Sequence, residues 1–218
     1  MDNGSTPLTA IAESFEGLAK FVNSLKDSSQ ELRLDTLCEA CSLVSVLFSS
    51  LGLAFKFAEL EYVSKVRDLV EASKKYKTLH TILDADIAND TVKTPGSHSR
   101  NLRRVRQGLD LIRALFEQFM STEGKLTKLL ACVFSEYSLR EAASTAYTQV
   151  CAPYHSWAVR TAVSAGMYTL PTREQLLLKL NETNQSAEKK MRRYINASGP
   201  VIEYIDKLYI SRKISLDW

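Results

Sequence analysis

His98-Ser-Arg-Asn-Leu-Arg-Arg-Val-Arg-Gln-Gly-Leu-Asp-Leu-Ile-Arg-Ala-Leu-Phe-Glu-Gln-Phe-Met120 is the stretch on which the reading of this chain turns. Leu102, Val105, Leu109, Ile112, Phe116 and Phe119 recur at alternating spacings of three and four, the core-facing stripe of an amphipathic helix. Arg100, Arg104, Gly108, Leu111 and Leu115 form a second stripe, roughly 110° round the wheel from the first. That second stripe changes from basic to apolar along its length. Two readings fit it equally. One is a solvated arginine turn on a helix with a wide buried face. The other is a helix lining an amphiphile's site, with cations at the headgroup and leucines along the chains.

Working outward, Ser97 is placed to cap this helix, and Pro95 and Gly96 break the chain before it. Eight glycines and five prolines are spread over 218 residues, and Leu8 to Thr94 contains no proline at all. Long helices follow. The first is expected after Ser5-Thr6-Pro7, with Leu8, Ile11, Phe15, Leu18 and Val22 on one face. Others are expected over about Asp35 to Ser50, from Gly52 to about Ser73, and over Thr78 to Ala88. Downstream, helices are expected from Leu139 to Cys151, from Pro153 to Met167, from Arg173 to Asn181, and from Ala187 to Ile210 with an interruption near Gly199-Pro200. No useful period-two run and no internal repeat occurs. The expected fold class is all-α, about eight helices in a single domain over residues 1–218, a length that one domain accommodates.

Apolar residues make up 45% of the chain, enough for a sizeable core and a cavity. The net charge of +3 permits contact with an anionic surface or a phosphate without demanding it. No Lys/Arg cluster is interleaved with aromatics, which argues against nucleic acid. Met1-Asp-Asn-Gly-Ser-Thr-Pro7 lacks the basic and apolar regions of a secretory signal. Ala40 to Phe55 and Ala142 to Val159 carry no Asp, Glu, Lys or Arg. They fall short of the roughly 20 apolar residues a membrane span needs, and read as buried helix. A cytosolic protein that touches membranes from outside is the expectation. Cys38, Cys41, Cys132 and Cys151 show no disulfide framework; the C-x-x-C at 38–41 reads as two small hydrophobes on a helix face, with no metal or cofactor implied.

Glu61 with Lys65, and Arg100 with Arg104, each present two polar groups to one place, because residues four apart share a helix face. Individually they read as a surface ion pair and a solubilising turn, with Arg103 and Arg106 on the solvent side of the wheel. His155 in Tyr154-His155-Ser156-Trp157 reads alone as an ordinary imidazole, and Trp157 as core. The contexts Ala54-Phe-Lys-Phe-Ala-Glu-Leu-Glu61-Tyr-Val-Ser-Lys65 and Gly96-Ser-His-Ser-Arg100-Asn-Leu-Arg-Arg104-Val-Arg-Gln-Gly-Leu-Asp110 change this. Together with Pro153, Ala165-Gly-Met-Tyr-Thr-Leu-Pro171-Thr-Arg173 and Leu216-Asp-Trp218, they resemble the glycolipid transfer protein family, nearest its plant accelerated-cell-death, ceramide-1-phosphate-carrying branch.

The resemblance implies a two-layer helical sandwich enclosing an apolar lipid pocket, and intermembrane transfer of ceramide-1-phosphate or a related phosphosphingolipid. Glu61 resembles the family acid that bonds the sphingolipid amide, and His155 the histidine that holds the amide carbonyl. Lys65, Arg100 and Arg104 resemble the cationic cluster that receives the phosphate. Where the sugar-binding branch has a tryptophan, Arg104 offers a planar fork suited to phosphate. Trp157 resembles a membrane-facing tryptophan. The implied partners are a sphingolipid and, transiently, a membrane surface. The sequence departs from the pattern twice: the family acid is normally aspartate, and Gly124 to Tyr137 has no counterpart in the short connection the branch uses. Those departures support a second function, a sphingolipid sensor or interaction module with weak or no transfer activity. An enzyme finds little support: no Gly-rich phosphate loop, G-x-S-x-G or H-E-x-x-H is present, and only Cys151, four residues before His155, hints at a thiol nucleophile.

Overall fold

Proline and glycine set where helices begin and end, and the apolar stripes set which helices meet. The computed structural model describes residues 5–25, 30–121 and 131–218, with backbone alone for residue 54 and residues 131–138. Helix α1 (Pro7–Ser24) starts where expected: the Thr6 hydroxyl accepts from the Thr9 N–H, and Pro7 occupies the first turn, where no N–H is needed. Gly52, at φ +77°, makes the tight reversal between α2 (Leu34–Ser50) and α3 (Leu53–Ser73). Thr78 and Thr81 cap α4 (Leu79–Ala88) reciprocally. After Gly96, Ser97 caps α5 (His98–Ser121), its hydroxyl accepting from the Arg100 N–H at 3.1 Å. Then follow α6 (Ala131–Val150), α7 (Trp157–Gly166), α8 (Arg173–Lys179) and α9 (Asn184–Ser211), with 3-10 turns at Ala152–Tyr154 and Met167–Thr169.

Among the described residues these are nine α-helices and no strand. None is long and apolar enough to cross a membrane. Helix α2 packs on α3, with α7 beside α3; α5 packs on α6 and α9, and α1 packs on α9 and α2. α5 lies at the centre, against α3, α4, α6 and α9. Tyr194 of α9 sits between Phe15 of α1 and Phe116 of α5, at ring separations of 5.0 and 5.6 Å, and donates its hydroxyl to the Leu109 carbonyl. Each such fully buried side chain contributes about 1.5–3 kcal/mol by leaving water.

Four expectations need correction. Helix α6 begins eight residues earlier than Leu139, so the second half of the segment Gly124 to Tyr137 continues a helix; residues 124–130 lie outside the described residues. Pro153 does not start α7: it sits in the 3-10 turn, and Ser156 caps the helix instead, its hydroxyl accepting from the Val159 N–H. Gly199-Pro200 does not interrupt α9. The missing Pro200 N–H forfeits one backbone bond, but Ala197, Ser198, Val201 and Ile202 are all buried and hold both halves in line. Arg103 and Arg106 are not solvent-facing: both pair with Asp206 of α9, because the helical wheel cannot see a neighbour that carries its own acid.

At Gly108 a side chain of α3 lies directly against the α5 backbone. A Cβ there would lie 2.5 and 2.8 Å from two carbons of the Tyr62 ring. That ring is held: it is buried, packs at 5.0 Å from Phe48, and its hydroxyl donates to the Cys41 carbonyl at 2.9 Å. Alanine gains roughly 1 kcal/mol of helix propensity over glycine, but overpacking a filled interface costs about 1–3 kcal/mol. Gly108→Ala is therefore expected to lower stability, seen as a melting temperature reduced by a few degrees in thermal unfolding. A raised melting temperature would show that α3 and α5 are free to separate at this contact.

Candidate functional site

Helices α3 and α5, and the short segment before α7, bring the five polar residues together. On α3, Lys65 Nζ lies 3.5 Å from Glu61 Oε1; the lysine is largely covered, while the carboxylate stands at the rim with its side chain 54% exposed. On α5, Arg104 Nη1 donates to Gln107 Oε1 at 2.8 Å, and the buried Gln107 is itself anchored by its amide nitrogen on the Val150 carbonyl at 3.4 Å. Arg100 Nη1 donates to the Lys93 carbonyl at 2.6 Å, which holds the guanidinium over the loop that precedes α5. Arg104 is close enough to Arg100, Arg103 and Glu61 to feel their charges, and His155 to feel that of Arg104.

The electrostatics follow from that crowding. Burial first, and then the charges of Arg100 and Arg103, lower the Arg104 pKa; Glu61 opposes them. Burial, aided by the Arg104 charge, lowers His155 below the ordinary histidine value, so the imidazole is neutral at pH 7. Its Nδ1 is 2.9 Å from the Tyr147 hydroxyl. Burial raises the Tyr147 pKa, which keeps that hydroxyl protonated. In the tautomer in which the tyrosine donates to Nδ1, the imidazole proton sits on Nε2. Arg104 thus lies among Arg100, Glu61 and His155, with Lys65 paired to Glu61. Such a recess is suited to an anion carrying hydrogen-bond acceptors.

The comparison with known families settles what kind of chain builds this recess: residues 32–182 match the family model described as Glycolipid transfer protein (GLTP). The chain belongs to the glycolipid transfer protein family. It is 64% identical over 217 residues to an Arabidopsis thaliana "ACD11 homolog protein", covering 98% of this chain and 90% of that one. It is 46% identical over 212 residues to Arabidopsis thaliana "Accelerated cell death 11", covering 97% and 96%. Among solved structures, an aspartate-to-asparagine mutant of Arabidopsis ACD11 complexed with C12 ceramide-1-phosphate superposes with a TM-score of 0.89 at 44% identity, covering 99% of this chain and 100% of that one. The all-α family fold expected from the sequence is therefore the fold observed.

The remaining candidates resolve on geometry. Cys38 and Cys41 are buried on α2, where burial pushes the Cys38 thiol up to about 12 and Cys41 higher still, so the C-x-x-C packs as core. Burial likewise pushes Cys151 up to about 12, which leaves it a protonated thiol rather than a nucleophile for His155. The Cys132 side chain lies outside the described residues. Trp157, two residues beyond His155, is 74% exposed at the start of α7. Sequence reasoning misses Gln107 and Tyr147. Gln107 carries a usable signal, three residues from Arg104 on one helix face. Tyr147 carries none, because the turn at Ala152–Tyr154 that folds His155 back onto it is a tertiary event.

A proton titration of His155 tests this electrostatic picture. The folded midpoint is expected below the unfolded value of about 6.5, and Arg104→Leu is expected to move it upward by removing a repelling charge. Because the folded pKa is the lower one, the stability this residue contributes is complete above about pH 6.5 and declines as the pH falls through the folded midpoint. A midpoint unchanged by Arg104→Leu would separate the two groups electrically and contradict the geometry.

Proposed function

We propose that this chain is a non-enzymatic carrier of ceramide-1-phosphate, taking the phosphate on Lys65, Arg100 and Arg104 and the sphingolipid amide on Glu61 and His155. The imbalance of charge in the recess supports this reading above all else. Arg104 lies partly buried beside two further arginines, with Glu61 at the rim as its opposing charge. A phosphate monoester supplies the missing negative charge and matches the guanidinium forks; a neutral sugar does neither. The ceramide-1-phosphate complex of the Arabidopsis relative points the same way. His155, neutral and held at Nδ1 by Tyr147, offers Nε2–H to an amide carbonyl. The extra methylene of Glu61 is accommodated because its carboxylate is at the surface, free to swing from Lys65 to an amide N–H.

The hydrocarbon chains have an apolar path beyond the cations. Leu111 and Leu115, the apolar end of the second α5 stripe, are buried, and Tyr62 closes on Gly108 between them and the arginines. Chain entry requires α3 and α5 to part there. Each methylene kept out of water is worth about 0.8 kcal/mol, so the chains leave a bilayer only for an apolar site. Membrane approach fits α7, a helix without a buried residue that packs beside α3. Trp157 at its start, Tyr168 just beyond its end, and Leu53 and Phe57 on α3 are large exposed apolar groups. Among Asp, Glu, Lys and Arg, residues 142–172 contain only Arg160. An apolar surface of this kind, with no acid contributed by residues 142–172, is suited to shallow interfacial docking on a membrane from the cytosolic side. Carrying a lipid makes and breaks no covalent bond, so residues 1–218 serve as one binding domain.

Transfer of fluorescent ceramide-1-phosphate between vesicles, beside galactosylceramide and phosphatidic acid, tests the proposal. Selective movement of ceramide-1-phosphate is expected. Arg104→Leu is expected to reduce it by about ten- to a hundredfold, the worth of one charge-assisted hydrogen bond, with helicity retained. Equal transfer of all three lipids would refute phosphate selection. Binding of ceramide-1-phosphate without transfer would make the chain a sphingolipid sensor or interaction module.

A further inference from the structure

The arms of the recess come from stretches far apart in sequence: Arg100 from the start of α5, and His155 from the segment before α7. A third stretch, residues 212–218 after α9, touches a neighbour of each. On the His155 side, the Leu216 carbonyl accepts from Arg103 Nη2 at 2.7 Å and from the Tyr154 hydroxyl at 3.4 Å. The Arg103 guanidinium also lies 5.8 Å from the Tyr154 ring centroid. On the Arg100 side, Lys93 Nζ is 3.3 Å from Ser215 Oγ and 5.6 Å from the Trp218 ring, while the Lys93 carbonyl is the acceptor for Arg100. Trp218 is itself held, its Nε1 donating to the Ser215 carbonyl at 2.6 Å and its ring 6.4 Å from Tyr209. The Tyr209 hydroxyl donates to the Ser99 carbonyl at 2.6 Å, one residue before Arg100.

Arg103 is the costly element of this arrangement. It is 3% exposed, its Nη1 lies 3.8 Å from Asp206, and neither Nε nor Nη1 has a hydrogen-bond partner. A buried cation so incompletely bonded adds little stability, since desolvation consumes much of what the pairing returns. What it does provide is a fixed point from which one carbonyl is shared with Tyr154, the residue next to His155.

We propose that residues 212–218 form a strap that sets the separation of the Arg100 and His155 arms, with Arg103 as the positioning residue through which it acts on Tyr154 and His155. The proposal rests on the reading of this recess as a lipid headgroup site, and adds that the two arms move as one unit. Removing the strap's anchor at Trp218 therefore loosens both arms at once, although they are more than fifty residues apart in the chain.

Amide hydrogen exchange on the full chain tests this without any lipid. In Trp218→Ala, residues 91–96 and 152–156 are expected to lose protection together, while α1 and the first half of α9 keep theirs. Arg103→Leu is expected to loosen 152–156 the more strongly. Loss of protection confined to 212–218 would overturn the proposal. Ceramide-1-phosphate affinity supplies the second arm, with Met191→Ala, a buried α9 substitution far along the chain from the strap, as a control for simple destabilisation. Trp218→Ala is expected to weaken binding at least about fivefold, a modest coupling between sites. Trp218→Phe, which keeps a ring against Tyr209 and Lys93, is expected to restore most of it. If both arms loosen while affinity is unchanged, or Met191→Ala weakens binding as much at equal destabilisation, the positioning role is overturned. If the unaltered protein does not bind ceramide-1-phosphate, the headgroup reading fails, and the exchange experiment still decides the strap.

Discussion

A central helix that carries five arginines within fourteen residues can be enclosed only if its positive charge is answered, and that constraint organises this molecule. Arg106 is met by Asp206 of α9 and by Asp110 one turn on. Arg113 takes Asp110 and Glu117, and Arg103 lies between Asp206 and the Leu216 carbonyl. The Asp206 pairings cross from α5 to α9 and join the two helices, while the pairs with Asp110 and Glu117 stay within α5. Arg100 and Arg104 lie on another side, where α3 brings Glu61 at the rim and Asp68 against Asn101. One helix thereby divides its cations into a structural face and a face left with positive charge in excess. The fold's main helix pair and its recess are two consequences of the same distribution.

The apolar side of the recess obeys a different rule. Between α3 and α5 the contact is as close as a glycine allows, with Tyr62 filling the space a side chain at Gly108 would take. Tight apolar packing is what keeps a layer interface dry, and it is also what an incoming hydrocarbon chain has to replace. The proposed carrier role asks for both states at similar free energy. The recess cations and the interface leucines therefore stand in sequence along one stripe: charge at the entrance, and exchangeable apolar contact behind it.

Much of this is legible from residue order. The stripe on α5 locates both the core face and the recess face, Thr6-Pro7 and Ser97 mark helix starts, and Glu61/Lys65 and Arg100/Arg104 declare their shared faces by spacing alone. The failures share one cause. On the wheel Arg103 and Arg106 look solvated because their acid, Asp206, lies a hundred residues away. Pro200 looks like a break because propensity weighs one lost backbone bond and omits the burial on both flanks. Pro153 looks like a helix start, where it instead shapes the turn that brings His155 back towards Tyr147.

The sequence by itself determined the helical class and which side chains are polar on which face, because helix periodicity and capping act within a few residues of one another; the family followed from the resemblance of its motifs. Only the tertiary structure decided which arginines are neutralised, that His155 is neutral and held by Tyr147, and that residues 212–218 touch a neighbour of each arm of the recess. Those outcomes depend on desolvation and on charges brought within a few ångströms by packing. Both depend on three-dimensional distance, which spacing along the chain does not encode.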